Sequence, residues 1–95
     1  MKLHERYNLE SLGNRSQELV YEAVEDRVNE GAMCTCEDCV IDLTAWTLNH
    51  VTPCYYSSLL SRLIPDAVLE HKMNVEIDLA IASGLKRLKE HPHHG

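Results

Sequence analysis

The sequence predicts a small, compact, all-α domain, and three observations carry that reading. No segment sustains the period-two alternation of a half-buried strand. Three separate stretches instead repeat apolar residues at helical spacing. Gly31, Pro53 and Pro65 fall between those stretches, where chain breakers belong.

The first helix is expected from about Asn14 to Asn29. Leu19, Val20, Ala23, Val24 and Val28 make a narrow stripe, with Glu18, Glu22, Glu25, Asp26 and Glu30 around it as a solvated face. Leu9 and Leu12 are expected to extend the stripe into a preceding turn that Gly13 loosens. Gly31 stands where helices commonly end in a left-handed residue.

The second helix is expected from Thr35. Thr35 followed by Asp38 fits a capping box, and Glu37 and Asp38 put negative charge at the positive helix end. Val40, Ile41, Leu43, Ala45, Trp46 and Leu48 leave few polar faces, so this reads as the central and most buried helix. Pro53 disfavours helix in the residue before it and closes the segment. Cys54 to Ser57 suits a short extended stretch, and Ser58 to Ile64 a helical turn. A long amphipathic helix is then expected from about Asp66 to Glu90, because Leu69, Met73, Ile77, Ile81 and Leu85 recur every four residues. Lys86, Arg87 and Lys89 gather at its end, as the helix dipole prefers.

A chain of 95 residues makes one domain, residues 1–95, close to the lower limit for a self-sufficient core. Phe is absent and there is one Trp, so Leu, Val, Ile and Met do the packing. Such a core gains from a metal, from oligomerisation, or from both. The formal charge of −6 argues against general nucleic-acid binding, which draws its affinity from Lys and Arg on phosphates. No run approaches the ~20 apolar residues of a membrane span, and Met1 to Arg6 is too polar for a secretory leader. A cytoplasmic location is expected.

Chemistry concentrates in Cys34-Thr35-Cys36-Glu37-Asp38-Cys39. Three thiols this close repel one another as thiolates unless a cation or a disulfide joins them. In a reducing cytoplasm a metal, most often zinc, is the better reading. Cys36 and Cys39 share one face of a helix start, where backbone N–H groups favour thiolate, and Cys34 can reach the same point from the incoming loop. Structural zinc takes four ligands. Cys54 is the remaining cysteine, but a helix from Cys39 to Thr52 carries it roughly 18–20 Å away within one chain. The fourth position therefore falls to Cys54 of the partner subunit, to a His (His4, His71 or the C-terminal three), to a carboxylate, or to water. The bland reading is a set of core cysteines; a third is a thiol redox sensor.

Little else suggests chemistry. There is no Ser/His/Asp order, no phosphate-cradling glycine loop and no HExxH. His93-His94 suits a polar tail as well as a metal site. Asp42 is the one candidate buried acid, and reads better as a helix-face residue or a partner for Arg than as a catalyst. No enzyme is expected.

From Cys34 through Asp42-Leu43, Ala45-Trp46-Thr47-Leu48-Asn49-His50-Val51-Thr52-Pro53 and Tyr55, the chain resembles the late-competence ComFB family, whose central pattern reads roughly C-x-C-x2-C-x2-D-[VIL]-x-A-x-x-L-N-x-[LV]-x-P-R-Y. Leu88 to His94 is similar to that family's closing Asn-Pro-Arg-His. The resemblance implies an intertwined or closely packed homodimer without enzymatic activity, with zinc capping the central helix, and a role in competence, motility or cyclic-dinucleotide signalling. It places a ligand near Asn49, Tyr55, Tyr56 and Arg62, with Arg87, His93 and His94 from the closing helix. Two family arginines are replaced, by Cys54 and by His93. Arg is the natural bidentate partner of phosphate and guanine, so weaker binding of a nucleotide such as cyclic di-GMP is expected. The alternatives are a thiol/zinc redox sensor and a protein-partner adaptor that binds no nucleotide.

Overall fold

The computed structural model describes residues 2–57 and 67–90. Three helices build the core: α2 (Arg15–Asn29), α3 (Glu37–Asn49) and α4 (Ala67–Glu90). Ahead of them come a single turn, α1 (Leu3–Arg6), and a 3₁₀ turn at Leu9–Ser11. Two short strands, β1 (Gly13–Asn14) and β2 (Tyr55–Tyr56), pair antiparallel, Gly13 opposite Tyr56 and Asn14 opposite Tyr55. The fold is mostly helical, as expected, with this small ribbon as the addition.

Helix α2 starts where the Asn14 side chain accepts the Gln17 N–H at 3.2 Å. It ends in a left-handed cap. Gly31 has φ of 70°, its N–H bonds the Val28 carbonyl, and the Ala32 N–H bonds the Arg27 carbonyl. The expected extension of the stripe through Leu9 and Leu12 does not form. Both are about half exposed, because the chain straightens at Gly13–Asn14 to pair with β2 before α2 begins.

The core is Leu19, Val20 and Val24 of α2, Leu43 of α3, and Met73, Ile77 and Ile81 of α4. Among the described residues two hydroxyls are buried, and both are satisfied: Thr47 donates to the Leu43 carbonyl at 2.8 Å, and Ser16 donates to the Thr52 carbonyl. Helix α3 is not the most buried one. Only Cys39, Leu43 and Thr47 of it are buried, and Ile41 stays 55% exposed. Asp42 is exposed as well. The longest buried row belongs to α4, whose spacing of four gives Met73, Ile77 and Ile81, with Ala80 and Gly84 beside them.

Gly84 sets how closely α3 and α4 approach. A Cβ built there would lie 2.7 Å from Leu43 Cδ1 and 2.8 Å from Trp46 Cδ1. Trp46 in turn stacks on His50, ring centroids 4.3 Å apart, and the Arg87 guanidinium lies 6.0 Å from its ring centre. Trp46 Nε1 is buried with no hydrogen-bond partner among the described residues. None of the described helices is long and apolar enough to cross a membrane.

Candidate metal centre

Between the glycine cap of α2 and the start of α3 the chain runs through a short loop. Met33 anchors it by packing, partly buried, against the core. Cys36 then acts as the N-cap of α3, its Sγ accepting the Cys39 N–H at 3.4 Å. This corrects the expected cap at Thr35, which lies one residue outside: a sulfur two bonds from the backbone can take the same N3 donor that a hydroxyl would. Glu37 and Asp38 fill the first turn, on the positive end of the dipole.

With Cys36 at the cap and Cys39 one turn on, both sulfurs face the loop, and Cys34 folds back onto them. The three Sγ atoms lie within 4.8 Å of one another. Cys34 is exposed, Cys36 half-buried and Cys39 buried. The Cys39 thiol is pushed up to about 12, first by hydrogen bonding with Cys36, then by burial, then by Cys34 and the charges of both neighbours. Bare, Cys39 therefore holds on to its proton. A cation removes that conflict by neutralising the thiolates together.

The donor set fits a soft or borderline metal ion. A tetrahedral Zn–S bond of ~2.3 Å puts sulfurs about 3.8 Å apart, so the observed spread needs a contraction of only about 1 Å. Thiolates favour zinc, copper(I) or iron–sulfur units over calcium or magnesium. Three donors converge here. No histidine, carboxylate or fourth cysteine among the described residues joins them. His4 is in α1 and His71 in α4, both outside the group, while the C-terminal histidines lie outside the described residues.

Cys54 lies past the far end of α3 and packs, partly buried, against the core. Its backbone is tied to the start of α2: Cys54 N–H donates to Asn14 Oδ1 at 3.3 Å, and its carbonyl accepts the Arg15 N–H at 2.7 Å.

The residues expected around a ligand divide into groups. Asn49 and Tyr55 line one pocket of about 410 Å³, together with Asn14, Gln17, Val51 and Pro53. Tyr56, next along the strand, points the opposite way. Its ring covers Gly13 and its hydroxyl donates to Glu18 Oε2 at 2.6 Å. Arg87 lies against Trp46 on the α3–α4 side instead. Arg62, His93 and His94 lie outside the described residues. The amides of Asn14 and Gln17 escaped the sequence reading, since only the β1–β2 pairing brings residue 14 beside residue 55.

The family model of the late competence development protein ComFB matches residues 13–92. The chain belongs to the ComFB family. The match runs from β1 through the thiol cluster to the end of α4 and just beyond it. No curated protein and no solved structure matches the chain.

Proposed function

We propose that this ComFB-family chain is a non-enzymatic, zinc-stabilised, dimeric regulatory module of competence or motility control that acts by binding a signalling ligand or a partner protein. The observation that carries the reading is the convergence of Cys34, Cys36 and Cys39 at the N-terminus of α3, in a chain whose family is competence-related. These three cysteines would hold the zinc, which supplies a cross-link between the α2–α3 loop and the first turn of α3. That link suits a core as small as the one the described residues form. Cys54 of the partner subunit, a histidine or water completes the set.

The dimer is supported by the outer face of α4. Val68, Leu69, Val75 and Leu79 are all exposed there, and Val68, Val75 and Leu79 repeat at seven and four residues along one side. For a cyclic dinucleotide, the pocket with Asn49 and Tyr55 offers amides for a base edge and a ring for stacking. The adaptor reading, without nucleotide, is favoured by the replacement of the family arginine at Cys54.

Elemental analysis of protein purified without added metal tests the first part, with near one zinc per chain expected. Sedimentation equilibrium tests the second, with a species of twice the 10.8 kDa chain mass expected. A metal-free monomer with an unchanged melting temperature refutes both. Calorimetry with cyclic di-GMP and cyclic di-AMP then separates the ligand reading from the adaptor reading.

A further inference from the structure

A second feature is independent of the thiols and of the Asn49–Tyr55 pocket. Between α2 and α3 runs a groove of about 600 Å³, lined chiefly by Tyr21, Val28, Val40, Ile41, Ala45 and Leu48. It lies to one side of the Leu43–Thr47 row that meets the core. Tyr21 and Ile41 are each more than half exposed. Glu25 is the one acid or base in its lining.

Among the described residues the rim is acidic. Helical spacing sets Glu22 one turn before Glu25 on the α2 side. On α3, Asp38 lies one turn before Ile41, Asp42 one turn before Ala45, and Glu37 in line with the groove. All five carboxylates are exposed. Helix α3 contains no Lys or Arg. The two arginines of α2 are turned to other partners, Arg15 to Glu18 and Glu70, and Arg27 to Asp78 of α4.

We propose that this groove docks a basic amphipathic helix of a partner protein. The walls take an apolar stripe at i, i+3, i+4, i+7 spacing, and the carboxylates take the Lys or Arg beside it. A second copy is a poor occupant. A two-fold contact groove to groove brings like-charged rims together. The chain's own cationic helix face, Lys72 and Lys86 flanking Val75 and Leu79, is on α4 across the core, so seating it in a neighbour's groove gives a head-to-tail contact that does not close.

The test uses the full chain and two labelled synthetic helices of about 18 residues, with Leu at the four anchor positions and either Lys or Glu on the flanks. Fluorescence anisotropy gives affinity, and amide shifts give the location. The expected result is that the Lys helix binds about tenfold or more tightly than the Glu helix, with shifts at Tyr21, Val28, Ile41 and Ala45. Ile41→Glu weakens the Lys helix about tenfold without lowering Tm, and the pair Glu22→Lys, Glu25→Lys erases or reverses the charge preference. Should Ile41→Glu fail to fold, Ala45→Glu, also at an exposed position, replaces it. Equal binding of both helices, undiminished binding by Ile41→Glu, or shifts confined to α4 each overturn the proposal. So does a wild-type dimer that Ile41→Glu converts to monomer, because the occupant is then a second copy.

Discussion

Replacing Gly84 by Ala sets two effects of opposite sign against each other. Within a helix, Ala is favoured over Gly by about 1 kcal/mol, so propensity alone predicts a gain in stability. The new methyl, however, would sit 2.7 Å from Leu43 Cδ1 and 2.8 Å from Trp46 Cδ1, well inside ordinary contact distance. Neither neighbour yields freely: Leu43 has no exposed surface, and the Trp46 ring is held against His50. Overpacking of this kind costs about 1–3 kcal/mol, so the net expectation is a loss of up to about 2 kcal/mol. For a domain of this size that lowers Tm by roughly 4–8 °C for each kcal/mol. Thermal unfolding followed by circular dichroism measures it, with Ser83→Ala at the exposed neighbouring position as the propensity control and Gly84→Leu as the larger intrusion. The ordering expected is wild type above Gly84→Ala above Gly84→Leu. A Gly84→Ala protein that melts above wild type would show that α3 and α4 have room to spare, and would refute the close-approach argument.

For the proposed zinc site, chelation at neutral pH is expected to lower Tm and to loosen the first turn of α3, read as faster exchange of the Val40 amide, which bonds the Cys36 carbonyl. Metal affinity should fall as pH drops, because thiol ligands must shed their protons to bind a metal; a pH-independent affinity contradicts thiolate ligation. The Tyr56 hydroxyl is held above its ordinary value of 10.0, by its hydrogen bond to Glu18 first and by burial second, with Arg15 pulling the other way. Its stabilisation is therefore complete below pH 10 and is lost as pH rises through the raised folded value. The stability difference between wild type and Tyr56→Phe should be constant from pH 7 to 9 and shrink above 10; a difference that grows in alkali contradicts the sign. Asn14→Ala removes both the α2 cap and the partner of the Cys54 N–H, and is expected to destabilise by about 1–3 kcal/mol in urea unfolding.

The three core helices were legible because each carries a local signal. The spacing of four in α4 gave Met73, Ile77 and Ile81, and Gly31 marked the end of α2 by its backbone freedom alone. The thiol cluster was legible for the same reason: three cysteines within six residues need no long-range geometry. What the sequence hid depends on pairing at a distance. Leu9 and Leu12 fit the α2 stripe on paper, yet Gly13 and Asn14 are claimed by Tyr56 and Tyr55 more than 40 residues away. The run from Val40 to Leu48 suggested burial on every side. In the fold its Ile41 side lies open, because among the described residues α2 and α4 are the helices that pack against α3, and both meet its Leu43 side. Gly84 carried no sequence signal, since its role is defined by Leu43 and Trp46 on another helix.

Asn14 accepts from Gln17 within its own helix and from Cys54 across the ribbon with a single Oδ1. One oxygen thus joins the nucleation of α2 to the docking of the segment that follows α3. The first turn of α2 gains its full cap geometry only as the ribbon closes, and Ser16 reinforces the link by reaching the Thr52 carbonyl from the same turn. Helix start and ribbon then form one cooperative unit, so their amides should open together in native-state hydrogen exchange rather than fray separately.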